Sequence, residues 1–342
     1  MNAERIKTQN IRQNRTILKK AVVALLILLL SYITVSMGVS AMVFRVLFQR
    51  TESDPAAELR YTDVDPQKYP RQAMRFASGG NSLQGYLYGA ADARGVIVVA
   101  NGIHAPADTH LPEILYFADN GWRVFTYDGT GVGDSEGDGI RGLSQSKIDL
   151  ENAIAFLRSN GATKDLPIVL YGHSAGGYAA AAVLREVDGL CAAVCIAGFD
   201  LPCEIMLYHA RQRVGALADI EYPFMRLQNF FLFGKDADLS AWESISGSDI
   251  PVMIVEADGD TVVPQALGIG RYRERIQNPN AVFLTVDEPY RNTHAAMWLS
   301  AEAAAYRAQE RDAKTADKAK GSALDPDFMD SLLSFYASAL QR

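Results

Sequence analysis

Cysteine and histidine are scarce in this chain of 342 residues, which has three cysteines and five histidines. Three clustered cysteines are too few for a disulfide scaffold, and no Cys/His spacing resembles a metal site. Within one extended strand, Cys191 and Cys195 would lie about 13 Å apart, which is beyond disulfide distance. We therefore expect core thiols, and the sequence implies neither a metal ion nor an organic cofactor.

An excess of positive charge is also absent. The formal net charge is -7, and no basic patch interleaved with aromatic residues appears in the core, which argues against a nucleic-acid partner. The glycine-rich residues 127–137 read YDGTGVGDSEG. They have no Lys-Ser or Lys-Thr ending and no G-x-G-x-x-G register, so they do not indicate a nucleotide site.

Charged residues are missing altogether from residues 21–44, AVVALLILLLSYITVSMGVSAMVF. As a helix this segment would be about 36 Å long, against a hydrocarbon core of about 30 Å. Six basic residues in the tail 1–20 precede it with only Glu4 opposing them, so the tail should be cytoplasmic and the rest of the chain extracytoplasmic. A cleaved signal is the alternative, because residues 39–41 resemble a cleavage site, but the apolar run exceeds an ordinary signal core. We expect a single-pass protein of the cell membrane.

Beyond the predicted anchor, we expect a stalk at 45–72, which is polar and contains three prolines, and one catalytic domain at 73–342. In the domain, apolar runs alternate with helical patterns, which predicts an α/β fold with a mostly parallel sheet covered by helices. The predicted strands are 73–76, 83–88, 95–100, 123–127, 167–171, 192–197, 252–255 and 281–286, and the clearest predicted helices are 111–120, 143–160 and 327–341.

One long interval, from Phe199 to Asp249, interrupts this alternation. It is much longer than an ordinary connection between a helix and a strand, and it is rich in aromatic residues and methionine. We expect a helical cap insertion at about 201–249 that covers the carboxyl edge of the sheet and lines an apolar substrate pocket. Additional core packing is the alternative explanation.

Residues 172–176, GHSAG, join a predicted buried strand to an alanine-rich helix. A serine at a sharp strand-to-helix turn is the context that the motif Gly-x-Ser-x-Gly requires. Gly172 and Gly176 lack a Cβ, so strand and helix can approach closely and hold Ser174 in a strained conformation with its hydroxyl exposed. We therefore predict that Ser174 is a nucleophile. A solvated glycine-rich turn is the alternative.

A serine nucleophile needs a base, and the base needs a carboxylate to orient it. His294 is the only histidine in the last third of the chain and follows the predicted strand 281–286, so it is the predicted base. The predicted strand 252–255 is followed by Asp258 and Asp260. The chain order serine, aspartate, histidine is the order found in α/β-hydrolases.

With these motifs, residues 73–342 resemble the α/β-hydrolase superfamily. Asp260 lies in a loop similar to the family's G-x-x-D-x-x-V-P acid loop, with Ala257 where the family has glycine. The resemblance implies that Asp260 is the triad acid. Asp258 is the local alternative, and Asp200 is the other, because some lipases of the superfamily keep their acid after that strand.

The oxyanion of a tetrahedral intermediate needs two N–H donors. The amide of Ala175, which follows the nucleophile at the start of a helix, is the first candidate. The superfamily's His-Gly-x loop corresponds here to residues 101–103, NGI, and the resemblance implies that the Ile103 amide is the second. Residues 127–137 are similar to the D-x-R-G-x-G-x-S loop of the superfamily's serine hydrolases. With the N-terminal anchor, they resemble the Bem46-like and serine aminopeptidase-like membrane-associated hydrolases.

The resemblance thus implies a membrane-anchored serine hydrolase that cleaves carboxylic ester or acyl-lipid substrates through an acyl-enzyme. Amide or peptide hydrolysis on the same triad is one alternative. A catalytically silent binding protein is another, disfavoured by the complete set Ser174, Asp260 and His294. The expected partners are a small ester or lipid substrate and the membrane, without nucleic acid.

Overall fold

The computed structural model of the protein describes residues 2–51, 59–310 and 316–341, with residues 2–6 and 11 described by their backbone only. The domain is built on one eight-stranded sheet. Its strands are β1 (Gln72–Ser78), β2 (Asn81–Tyr88), β3 (Val96–Ala100), β4 (Arg123–Tyr127), β5 (Ile168–His173), β6 (Leu190–Ile196), β7 (Val252–Ala257) and β8 (Ala281–Val286).

The sheet has the strand order β1-β2-β4-β3-β5-β6-β7-β8. The pairs β1–β2 and β2–β4 are antiparallel, and every pair from β4–β3 to β7–β8 is parallel. Adjacent residues of β3 point to opposite faces, with Val96 and Val98 in one apolar core and Ile97 and Val99 in the other. The predicted mostly parallel sheet with two covered faces is confirmed.

The helices are α1 (Asn2–Leu47), α2 (Leu111–Asp119), α3 (Gln145–Ser159), α4 (Ala175–Ala182), α5 (Pro202–Val214), α6 (Leu217–Phe233), α7 (Ala241–Ser246), α8 (Ala301–Gln309), α9 (Lys318–Gly321) and α10 (Pro326–Ala339). Side chains of α3, α4 and α7 belong to one core, and those of α2, α8 and α10 to the other. The predicted helical cap insertion is also confirmed, because α5, α6 and α7 fill the interval between β6 and β7.

The N-terminal helix α1 is 46 residues long, and residues Lys7–Leu47 are long and apolar enough to cross a membrane. Its last third packs against the domain. Ser36, Ser40, Phe44 and the following Phe48 are buried, and their spacing of four places them along one side of the chain. The segment predicted at 21–44 is therefore exposed on all sides only in its first part.

The described residues of the predicted stalk 45–72 lie on the domain surface. Gln49 pairs with Gly139 and Thr51 with Val132 in isolated β-bridges, and Arg50 donates hydrogen bonds to backbone carbonyls of the same loop. Leu59, Tyr61, Val64 and Tyr69 pack against the core. The segment packs on the core because these apolar and aromatic side chains lie among its polar residues and prolines. Residues 52–58, with Pro55, lie outside the described residues.

Candidate active site

The predicted site residues meet at the carboxyl edge of the sheet, where open α/β sheets bind ligands. Ile103 follows β3, Ser174 follows β5, Asp260 follows β7, and His294 follows β8. Because all four strands run parallel, loops separated by many residues in the chain start from the same edge. The cap helix α5 also begins at this edge, directly after β6.

Ser174 occupies a sharp turn between β5 and α4. Its φ of 58° and ψ of -118° lie outside the usual regions for a non-glycine residue. A Cβ on Gly172 would lie 2.1 Å from the Gly176 carbonyl oxygen, and a Cβ on Gly176 would lie 1.9 Å from the Ala100 carbonyl oxygen. Both positions therefore require glycine, and the close approach that they permit holds the strained serine in place.

The two predicted oxyanion donors lie on segments next to Ser174. Ala175 is the first residue of α4, where backbone N–H groups lack intrahelical acceptors and the helix dipole favours negative charge. On the other side, a Cβ on Gly102 would lie 3.4 Å from the Ser174 Cβ and 3.8 Å from its Oγ. The backbone that leads to Ile103 therefore runs directly beside the serine hydroxyl.

The predicted acid and base are in direct contact. His294 Nδ1 lies 2.7 Å from Asp260 Oδ2, and the Asp260 side chain is almost completely buried. The other carboxylate oxygen, Oδ1, accepts hydrogen bonds from the backbone N–H groups of Val262 at 2.8 Å and Val263 at 2.9 Å. These two donors fix the carboxylate orientation, so that Oδ2 accepts a hydrogen bond from Nδ1–H and leaves Nε2 of His294 as the basic nitrogen.

The alternative acids contact other groups. Asp258 accepts a hydrogen bond from the Asn292 side chain at 2.8 Å, and Asp200 accepts one from Ser240 at 2.8 Å and another from the Trp242 backbone at 3.3 Å. Asp200 thereby joins β6 to the cap. Of the three aspartates that the sequence left open, the structure brings Asp260 to the histidine.

His173, the residue before the predicted nucleophile, supports the histidine loop, a role that sequence reasoning missed. Its Nε2 donates a hydrogen bond to the His294 backbone carbonyl at 2.8 Å, and the two rings lie 4.8 Å apart. Burial, together with the neighbouring His294 and His110, lowers the pKa of His173 well below its usual value. We conclude that His173 is neutral and acts as a positioning residue.

The Ser174 hydroxyl forms no hydrogen bond within the part of the chain that the structure describes, including to His294. In free enzymes the bond between nucleophile and base is often long, and it shortens when substrate binds. Ser174 and His294 are nevertheless neighbours, because His173, the last residue of β5 and the residue before Ser174, hydrogen-bonds the His294 backbone. The arrangement places a hydroxyl, an imidazole and a carboxylate at one edge of the sheet.

Asn101 stands where the superfamily usually has a histidine. Its side chain supports the loop of residues 101–107 that follows β3 and contains Ile103, which we call the oxyanion loop. Its Nδ2 donates to Thr126 Oγ1 and to the Tyr127 carbonyl, each at 3.3 Å. At the other end of the loop, the Ala107 N–H donates to Asp128 Oδ1 at 2.7 Å, and burial raises the pKa of Asp128. Asn101 and Asp128 therefore hold the two ends of this loop.

His104 links the oxyanion loop to the end of α1, a connection that the sequence did not indicate. Its Nε2 lies 3.0 Å from the Leu47 carbonyl, and its Nδ1 lies 2.7 Å from Thr51 Oγ1. With Nε2 as the donor, the Thr51 hydroxyl donates to Nδ1. His104 has a positive φ of 60°. The N-terminal helix is thus joined to a loop of the site.

Two cavities adjoin the site. The first has an empty volume of about 400 Å³ and borders the oxyanion loop, and the second has about 370 Å³ and borders His173. Neither of them is lined by residues of the cap, so they do not correspond to the apolar pocket that we expected beneath it. Several apolar side chains of the cap instead face outward, as residues of α6 show: Leu217, Ile220, Leu227, Phe230 and Phe231.

A family model and a curated protein resemble part of this chain in sequence. Residues 91–218 match a family model described as serine aminopeptidase, S33. The polyketide transferase grgF of Penicillium sp is 26% identical over 132 residues, which are 37% of this chain and 45% of that protein. The matched region thus spans less than half the length of that relative.

Solved structures share the fold at low sequence identity. The Pyrococcus furiosus esterase Pf2001 is 14% identical and superimposes with a TM-score of 0.58. The superposition covers 85% of this chain and 98% of that one. The α/β hydrolase GrgF from Penicillium sp. sh18 is 16% identical, with a TM-score of 0.53 over 80% of this chain and 100% of that one. The Pyrococcus horikoshii acylaminoacyl peptidase is 17% identical, with a TM-score of 0.51. The superposition covers 66% of this chain and 38% of that one.

Proposed function

We propose that the chain, which has the fold of the α/β-hydrolases, is a serine hydrolase that cleaves carboxylic esters through an acyl-enzyme. One observation carries this proposal: the 2.7 Å contact between His294 Nδ1 and Asp260 Oδ2. It leaves Nε2 free to accept a proton at the edge of the sheet where Ser174 occupies a strained turn, although the serine is only 8% exposed and not fully exposed as predicted.

In the first half of the reaction, Ser174 Oγ attacks the ester carbonyl carbon while His294 Nε2 takes the hydroxyl proton. The carbonyl oxygen becomes an oxyanion, which accepts hydrogen bonds from the Ala175 and Ile103 amides. The C–O bond to the alcohol then breaks, and His294 gives its proton to the departing alkoxide. The acyl group stays on Ser174 as an ester.

In the second half, water attacks the acyl carbon and His294 accepts one of its protons. The second tetrahedral intermediate uses the same two amides. When it collapses, the bond to Ser174 Oγ breaks, His294 returns the proton to the serine, and the carboxylic acid leaves. Asp260 stays ionised throughout and stabilises the imidazolium that forms twice in each cycle.

We also propose that α1 anchors the enzyme in the cell membrane, with the domain on the extracytoplasmic side. The length and apolar character of Lys7–Leu47 support the anchor, and the basic residues before it support the orientation. The proposed division of the chain is a tail at 1–20, an anchor at 21–44, a connecting segment at 45–72 and a hydrolase domain at 73–342.

Amide or peptide hydrolysis is the second candidate, favoured by the match of residues 91–218 to the serine aminopeptidase model. The same triad and oxyanion donors serve either leaving group, because the base can return its proton to an amine as well as to an alkoxide. Only the relative rates on matched substrates separate the two activities.

Turnover of esters graded by acyl length, compared with anilides of the same acids, tests the proposal. We expect the full-length protein in detergent micelles to hydrolyse the esters faster than the matched anilides. Ser174→Ala should remove the activity, and Ser159→Ala, a change of a remote serine at the end of α3, should retain it. Faster anilide turnover would favour the amidase. Equal rates for wild type and Ser174→Ala would exclude both.

A further inference from the structure

The cap carries an apolar stripe on the outer side of α6. Leu217, Ile220, Phe224, Leu227 and Phe231, which we call the cap stripe, recur every three or four residues and therefore share one helix face. Leu217 is 64% exposed and Phe231 is 67% exposed, whereas Phe224 is half-buried. A row of large apolar side chains that the domain leaves uncovered is typical of an interaction surface.

The cap stripe is continuous with the proposed membrane anchor. The half-buried Phe224 ring packs edge-on against Tyr32 of α1, with ring centroids 5.4 Å apart. One turn away on each helix, Ser36 Oγ donates a hydrogen bond to Glu221 Oε1 at 3.1 Å. The anchor itself exposes apolar side chains beside this contact, such as Val35 at 64%. Exposed apolar side chains of α1 and α6 therefore lie on both sides of this contact.

We propose that the cap stripe lies in the bilayer that α1 enters, at the boundary between lipid headgroups and hydrocarbon. This inference rests on the proposed membrane anchoring. Two observations select the bilayer as the occupant: the stripe continues the surface of a helix able to cross a membrane, and the Tyr32–Phe224 and Ser36–Glu221 contacts fix α6 at the height of the anchor's last third.

The charges of the cap set the depth. Asp219 and Arg226 lie on α6, and Asp219 forms an exposed ion pair with Arg211 of α5. Ionised side chains are costly at the centre of a bilayer, whereas an interfacial helix keeps its charged face in the headgroups and buries its apolar face by about 5–10 Å. The charged side chains of α6 therefore stay among the headgroups, and only its stripe contacts the acyl chains.

This position identifies the substrate class of the proposed hydrolase. A second cap helix, α5, contacts the loop after β7 that holds Asp260. His209 Nε2 of α5 donates a hydrogen bond to the Val262 carbonyl of this loop at 3.0 Å. The end of α1 contacts the oxyanion loop through His104 and Leu47. The anchor α1 thus touches one loop of the site directly, and α6 is linked to the other through α5 and the Arg211–Asp219 ion pair, which holds the site close to the headgroups. The substrate we infer is an ester whose acyl chain resides in the bilayer.

Depth-dependent fluorescence quenching tests the position of the cap stripe independently of activity. Single cysteines are introduced by Leu217→Cys and Phe231→Cys at the two ends of the stripe and are labelled with an environment-sensitive fluorophore. Leu25→Cys in α1 reports on the anchor. Lys164→Cys, exposed in the loop before β5 at the opposite edge of the sheet, is the matched control. The parent chain, whose own cysteines are buried or half-buried, gives the background.

The full-length variants are reconstituted in phosphatidylcholine vesicles that carry a nitroxide either near the headgroup or near the chain end. We expect the headgroup-proximal nitroxide to quench both stripe positions by at least about twofold, as their burial by about 5–10 Å requires, and to leave Lys164→Cys unquenched. The Leu25→Cys label should be quenched most by the deep nitroxide.

Each other outcome is decisive. If Leu25→Cys is quenched but the stripe positions match the Lys164→Cys control, the cap stripe does not contact lipid, and a second copy of the chain or another protein covers it. If Leu25→Cys is not quenched, the membrane anchoring fails and the inference fails with it. Hydrolysis of a soluble ester, measured separately, shows whether the proposed enzyme activity survives either result.

Discussion

Replacement of Asp260 by asparagine is expected to lower kcat for ester hydrolysis by about four orders of magnitude without unfolding the domain. Oδ1 accepts two backbone N–H groups, so the asparagine oxygen would occupy that position and its NH₂ would face His294 Nδ1. The imidazole would then accept at Nδ1 and carry its proton on Nε2. In that tautomer it cannot take the proton of Ser174.

The matched control is Asp258→Asn, two residues earlier in the same loop. Asp258 accepts a hydrogen bond from Asn292 and does not contact His294, so we expect kcat to change by less than about threefold. Steady-state rates and thermal unfolding of both variants separate catalysis from folding. A larger loss in Asp258→Asn than in Asp260→Asn would overturn the assignment of the acid.

Gly176→Ala should destabilise the protein by about 3 kcal/mol or more and abolish most of the activity. The new Cβ would lie 1.9 Å from the Ala100 carbonyl oxygen and 2.9 Å from the Asn101 carbonyl oxygen. Both contacts are with backbone, which cannot rotate away as a side chain can. Either α4 or the oxyanion loop must move, and each movement separates Ser174 from a donor to the oxyanion.

Gly161→Ala is the control for this substitution, because a Cβ at Gly161 meets nothing within 4 Å. Its effect should stay within about 0.5 kcal/mol, as for most surface positions. Urea unfolding in detergent micelles gives the free energies of unfolding, and ester turnover of the soluble fraction gives the activity. Gly176→Ala with the stability and turnover of wild type would contradict the requirement for glycine at this position.

The sequence predicted the parallel strands well because most of them are runs of apolar and β-branched residues. The predicted bounds of β4 at 123–127 and β8 at 281–286 match the structure. The burial of β8 was less predictable: Val286 is buried, but Val282 and Leu284 are exposed, because β8 is the edge strand of the sheet. An apolar run alone does not distinguish an edge strand from a central one.

The packing of the anchor on the cap could not be predicted from sequence. In the run 21–44, Ser36 and Ser40 look like tolerated polar residues of a spanning helix. Their spacing of four places both against the domain, but the same pattern would occur in a helix with one side toward lipid. Which neighbour covers that side depends on α6, whose sequence lies about 180 residues away.

The site could be predicted in part, since residue types and chain order selected Ser174 and His294, whereas the preference for Asp260 over two other aspartates came only from the resemblance to the family's acid loop. The choice among them depends on where the side chains point, which the spacing of motifs does not determine. The support from His173 was missed for the same reason. Its hydrogen bond joins residues 121 positions apart, and a histidine next to a nucleophile gives no indication of that contact in the sequence.

Covalent labelling of the folded full-length protein with a fluorophosphonate, followed by peptide mass mapping, tests the activated serine most directly. A fluorophosphonate reacts with a serine whose proton a neighbouring base can remove. We predict one phosphonylated residue, Ser174, and no adduct on that peptide in Ser174→Ala. Folded wild-type protein without an adduct, or equal labelling of Ser174→Ala, would contradict the assignment of Ser174 as the nucleophile.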